Sequence, residues 1–160
     1  MALDNFIKIA DIQGESQDSQ FKDQIEIMSY SFGASMVANV GQGGLGAGKV
    51  SFSDFTFVKQ VDKASPKFFK ASCVGSHLAT VVFSTRKAGG GSSGGYTYLQ
   101  ITLSDALVTQ FHLSGASEIA TESVSLAFAK LQMEYFMQTA TGSVGSTGAI
   151  TYDVTKNQAT

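Results

Sequence analysis

Residues 48–75 read GKVSFSDFTFVKQVDKASPKFFKASCVG, and their reading decides the fold. A glycine-rich segment gives way to an alternating strand, Val50–Val61. Val50 and Phe52 share one face and Phe55 and Phe57 the other, so the alternation slips at Ser53-Asp54, as a β-bulge does. Lys63-Ala64-Ser65-Pro66 then turns the chain into a short helix over residues 65–74. Ser65 is placed as its N-cap, with a hydroxyl able to accept from a first-turn amide. Pro66, the only proline in the chain, stands at the first helical position, where a missing N–H costs nothing. Gly75 stands where a C′ glycine ends a helix.

Outward from this block the apolar pattern has period two, the mark of strands with one buried face. Phe6–Ile9 opens and Ile25–Phe32 follows. Leu78–Arg86 pairs with Tyr96 onward as a hairpin. Leu99–Leu113 is a long strand, or two, broken near Asp105. Ile25–Phe32 and Val124–Met137, like Val50–Val61, change phase midway. A strand whose apolar face switches has something to bury on both sides, which suits a closed barrel inside an oligomer better than a monomeric sandwich. Segment 124–137 is rich in helix formers (Ala127, Ala129, Lys130, Leu131, Met133, Glu134), so its pattern leaves strand and helix both open.

Of the 17 glycines, five fall in 41–48, five in 89–95 and three in 142–148. Such stretches are costly to order and read as long loops, for which an ordering partner surface is one use. In the first of them Leu45 is an apolar anchor at the tip, set among Gly41, Gly43, Gly44, Gly46 and Gly48.

The length of 160 residues suits one domain with a sizeable core, 1–160, whose core runs over about 3–138 with a C-terminal tail at 139–160. A net charge of -2 supplies no basic field for nucleic acid or an anionic membrane. No apolar run approaches the ~20 residues that span a bilayer, so no membrane insertion is expected. MALDNFIKIADIQ lacks the basic start and apolar stretch of a signal peptide, and the expected compartment is the cytoplasm. Cys73, alone, forms no internal disulfide.

Motifs that resemble chemistry fail on context. Gly41-Gln42-Gly43-Gly44-Leu45-Gly46 fits GxGxxG, and Gly43–Lys49 fits GxxxxGK. A strand, not a helix, follows, and Val50 replaces the hydroxyl that holds magnesium in a P-loop. His77 and His112 have no second ligand at metal spacing; both read as surface, capping or interface residues. Cys73 aligns with Phe69 one turn earlier and reads as a buried structural thiol. Phe68 and Phe69 read as docking the helix to the sheet. Lys59, Lys63, Lys67 and Lys70, with Asp54 and Asp62, read as a solvated mixed face that in a ring could set register between neighbours. No catalytic residue, metal site or cofactor is expected.

The chain resembles the haemolysin-coregulated protein (Hcp) family, the tube subunits of type VI secretion. The resemblance is carried by Gly48-Lys49-Val50-Ser51, Phe55-Thr56-Phe57, Val61-Asp62-Lys63-Ala64-Ser65-Pro66 and Arg86-Lys87-Ala88-Gly89-Gly90. Phe6-Ile7-Lys8-Ile9, Gly14-Glu15-Ser16, Glu122-Ser123-Val124-Ser125-Leu126 and Phe128-Ala129-Lys130 add to it in the same order. It implies a mainly β fold: a small β-barrel of two packed antiparallel sheets, one short flanking helix at about 65–74, and a strand over 124–137. It also implies a non-enzymatic homohexameric ring that stacks into a tube expelled by a contractile sheath with a spike at its tip. Small effector proteins would ride in the lumen, and the protein would leave the cytoplasm without a signal peptide. Within that picture Gly41, Gly43, Gly44, Leu45, Gly46 and Gly48 are candidates for an inter-ring contact loop. Ser29 and Ser31, the small polar phase of Ile25–Phe32, are candidates for the lumen wall. The alternatives are a monomeric barrel that binds a small ligand and, on the glycine motif, a nucleotide-binding enzyme.

Overall fold

The structure is a computed structural model that describes residues 3–41, 43–87, 95–116 and 118–160. It is mainly β, with one helix and two sheets among the described residues. The larger sheet holds nine strands. β1 (Leu3–Ile9) lies between β2 (Ile25–Ile27) and β7 (His77–Lys87). β7 pairs with β8 (Tyr96–Ser114), β8 with β9 (Thr121–Gln138), and β9 with β10 (Val144–Asp153), which carries the short β11 (Gln158–Ala159) at the edge. β6 (Phe55–Gln60) pairs with the first half of β9 on one side and with β3 (Ser29–Ser31) on the other. Every pairing is antiparallel.

The expected Ile25–Phe32 strand is split at Met28, where its apolar phase changes. β2 pairs with β1, β3 pairs with β6, and the Met28 N–H donates to the Val58 carbonyl at 2.7 Å between them. The sheet thereby rolls around a single core. Ile7, Ile25, Phe55, Phe57, Val81, Phe83, Ile101, Leu103 and Leu126 meet in one cluster drawn from its successive strands.

Segment 124–137 is strand, and its two apolar phases have different partners. Val124 and Leu126 are buried where β6 pairs with β9; Leu131 is buried opposite Leu103 after β10 has replaced β6. Glu122–Leu126 pairs across to Val108–Leu113 through a register shift at Val108/Gln110, a bulge that bends the ladder there.

The helix α1 runs over Ser65–Val74, as the sequence predicts, and ends at Gly75 in the left-handed conformation, φ 65°. The Gly75 and Ser76 N–H groups both donate to the Ala71 carbonyl. Its start differs from expectation. Ala64 occupies the cap position without a side-chain cap bond, and Ser65 is already helical, which moves Pro66 one place into the first turn. The Ser65 hydroxyl instead accepts backwards from the Asp62 N–H at 3.0 Å, and Asp62 Oδ1 accepts from the Ala64 N–H at 2.8 Å. The two side chains hold the entry turn, not the helix amides. Phe68 docks α1 by packing its ring on Phe57, centroids 5.7 Å apart; Phe69 stays exposed, with its ring against Phe111.

Two further expectations are corrected. Ser53-Asp54 is a break between strands of different sheets, not a bulge within one. The glycine-rich 41–48 segment is not a loop. It forms the distal half of a hairpin, β4 (Ala34–Gly41) and β5 (Gly44–Phe52), with Gly43 in the turn. Glycine serves close approach there, because a Cβ on Gly48 would come 2.6 Å from the Val37 carbonyl oxygen. Residues 142–148 likewise form a turn running into β10. Ala88–Gly94, most of the remaining glycine cluster, lies outside the described residues.

Candidate assembly surfaces

The β4–β5 hairpin is an arm. Its strands pair with each other alone, as a separate sheet. At its root the Ser53 N–H donates to the Gly33 carbonyl at 2.9 Å and the Gly33 N–H to Ser53 Oγ at 2.7 Å, while Phe52 packs on Phe128 and Tyr152. Beyond the root the arm has no third strand, and Met36, Val37, Val40 (84% exposed) and Leu45 (78% exposed) face solvent. An isolated two-stranded ribbon is marginal in water. Gly41, Gly44, Leu45, Gly46 and Gly48 are therefore brought together as strand residues at the far end of the arm, with Gly43 in its turn.

A second apolar surface lies on the outer half of β9. Met133, Tyr135 and Met137 continue the phase of buried Leu131, and Ile150 of β10 stands opposite Met133; all four are exposed. The core-facing side of the sheet thus runs past the core with nothing over it among the described residues.

A third surface is polar and runs across β3, β6, β9 and β8. Ser29 and Ser31 are exposed while Tyr30 turns inward onto Phe83, with ring centroids 4.3 Å apart. Burial raises the Tyr30 phenol above its usual pKa. The register places Ser31, Thr56, Ser125 and Gln110 in one row across β3, β6, β9 and β8, and Ser29, Val58, Ser123 and His112 in another. Thr56 and Ser125 are bonded through their hydroxyls at 2.9 Å.

The basic group at the strand–helix junction is solvated at Lys63, Lys67 and Lys70, with Asp54, but not at Lys59. Lys59 continues the inward phase of Phe55 and Phe57 and is 0% exposed. Its Nζ donates to Glu122 Oε1 at 2.7 Å, Asp62 Oδ1 at 2.7 Å and the Gln60 carbonyl at 2.8 Å, with Ser65 Oγ at 3.3 Å. Glu122, directly opposite in register, is also buried. Sequence reasoning missed the pair, though its signal was available: a lysine on an aromatic phase, and a glutamate on the phase of Val124 and Leu126. Lys63, 4.0 Å from Asp23, and Lys67, on the Asp11 carbonyl, do lie at the surface.

Arg86 anchors the other end of the barrel. It donates to Asp18 Oδ2 at 2.6 Å and Asp4 Oδ2 at 2.8 Å, and lies over the stacked rings of Phe6 and Phe21. The bond from Arg86 holds the Asp18 carboxyl below the usual carboxylate range.

Among the described residues no group of three or more His, Cys, Asp or Glu could hold a metal. His77 is exposed and bonded through Nδ1 to Asp105 at 2.6 Å; His112 is exposed. Cys73 is exposed, not buried as expected. The glycine motif runs into β5, not into a helix. No helix of the described residues is long and apolar enough to cross a membrane.

The family model described as type VI secretion system effector, Hcp, matches residues 6–135. Protein hcp1 of Pseudomonas aeruginosa is 39% identical over 146 residues, covering 89% of each chain. The crystal structure of Hcp1 from Salmonella typhimurium superposes with a TM-score of 0.80 at 29% identity, covering 100% of both chains. That of a type VI secretion system effector from Yersinia pestis gives 0.74 at 31% identity, covering 94% of this chain and 100% of the other.

Proposed function

The chain belongs to the Hcp family, the secreted, self-assembling tube proteins of type VI secretion systems and not an enzyme family, and from that premise we propose that it is the subunit of a homohexameric ring. The rings stack into the inner tube that a contractile sheath expels behind a spike, and small effector proteins travel in the lumen. The observation that carries the reading is the apolar surface a lone chain leaves uncovered: the arm on one side and Met133, Tyr135, Met137 and Ile150 on the other. Exposed apolar area of this extent is buried when copies associate. The rows through Ser29 and Ser31 are the best candidate for the lumen wall. They are hydroxyl-rich, and His112 is their only ionisable member, so they offer passing cargo hydrogen bonds without a strong fixed charge.

Light scattering after size-exclusion chromatography tests the ring. The expected mass is six times the 16.8 kDa of one chain; a monomer at all concentrations and salts overturns the proposal and favours a monomeric ligand-binding barrel. Leu45→Asp tests the arm. The ring mass should persist while stacking, and release into the medium by a functional type VI apparatus, fall. Loss of the ring itself would make the arm an intra-ring element.

A further inference from the structure

The arm is apolar and makes no third-strand pairing among the described residues, and at the other end of β6 lies an apolar seat that no described residue fills. The arm joins the barrel at the start of β6, through Ser53 and Asp54, and α1 leaves from the other end, after Gln60. On α1, Phe69 is exposed with its ring 5.9 Å from Phe111. Cys73 lies one turn further along the helix, on the same face as Phe69. Val74 is 63% exposed, and Leu113, on the same face of β8 as Phe111, is exposed too.

We propose that the arm of one copy seats on this Phe69–Cys73–Val74–Leu113 patch of a copy in the next ring. The inference rests on the ring reading and names the receptor for the arm. Charge permits it: no side chain from Gly33 to Gly48 is charged, and none of the four seat residues is, so the side chains that would meet carry no ion to strip of water. Position favours it. Arm and seat attach to opposite ends of one strand, so the contact uses two different surfaces, and a head-to-tail contact of that kind repeats into an open stack. Size explains why it acts between rings and not between free chains. Eight residues per strand at ~3.3 Å each, two strands wide at ~4.8 Å spacing, present roughly 250 Å², far below the ~800 Å² per partner of a stable interface. One arm cannot hold two chains together. A ring presents all its arms at once, each raising the effective concentration of the next.

The native Cys73 provides the test. Leu45→Cys protein, purified as rings, is oxidised mildly at high concentration. The expected products are a disulfide between the introduced thiol at position 45 and Cys73, identified by mass spectrometry, and a covalent ladder that runs past six subunits. Cys73→Ser added to Leu45→Cys should abolish that ladder. Separately, Val74→Asp should keep the ring mass and cut the number of stacked rings seen by electron microscopy several-fold. Intact rings that lack this disulfide, a ladder that stops at six, or Val74→Asp rings that stack like the parent all overturn the seat and leave the ring reading standing. A monomer by light scattering overturns both.

Discussion

Lys59 donates to two carboxylates inside the barrel wall, and removing it strands them. Breaking one side of a buried, hydrogen-bonded pair costs about 3–5 kcal/mol because the remaining charge keeps its desolvation penalty. Lys59→Met should therefore lower stability by about 3 kcal/mol in urea unfolding, and adding Glu122→Leu should restore most of it. A neutral Lys59→Met would show that the pair contributes little. Ser65→Ala removes the acceptor of the Asp62 N–H and should cost about 1 kcal/mol, through the entry turn and not through a helix cap. Asp18 gives the pH dependence. Its carboxyl is held below the usual range by Arg86, so its folded pKa lies under its unfolded one. The stabilisation is complete above the ordinary carboxylate pKa of about 4 and is lost as pH falls through the lowered value. The gap in melting temperature between parent and Asp18→Asn should be constant from neutral pH to mildly acidic pH and should close below it. A gap that widens on acidification would contradict this sign.

At the scale of elements, two glycines sit where a side chain is costly. Gly75 ends α1 at φ 65°, and Gly75→Ala should cost about 1 kcal/mol for the left-handed conformation. Gly14 packs so closely that a Cβ would come 2.3 Å from the Gln24 carbonyl oxygen, so Gly14→Ala should be the more damaging change in a melting experiment. An order reversed between the two would refute the close-packing account. Gly14-Glu15-Ser16 was visible in the sequence as a motif, but its reason lies in the segment folding back against residues 23–24, where the Gly14 N–H donates to the Asp23 carbonyl. The helix over 65–74 was legible because Pro66 and Gly75 act locally. The arm was not, because glycine density signals a loop, and only the cross-strand register of β4 with β5 shows it to be paired.

For the whole molecule, the arm should stand outside the cooperative unit. Replacing residues 35–51 with a short turn keeps Phe52 and the Gly33–Ser53 bonds at the root. The melting temperature at one fixed protein concentration should then change little; a large loss would mean that the arm helps hold the barrel. The sequence by itself determined what depends on local periodicity and chain geometry: strands with one buried face, the phase changes near residues 28 and 129, the β7–β8 hairpin, the single helix and its glycine stop. Those signals are carried by residues close in the chain, and the family resemblance assembled them into a fold. Only the tertiary structure decided which residues far apart in sequence would face one another. Lys59 became buried because Glu122 lies opposite it across 63 residues, and Arg86 because Asp4 and Asp18 converge on it. Leu45 and Met137 remain exposed because no segment of the described residues covers them. Burial and pairing are sums over the whole packed molecule, and neither a lysine's isolation from water nor a leucine's exposure to it is written at its own position.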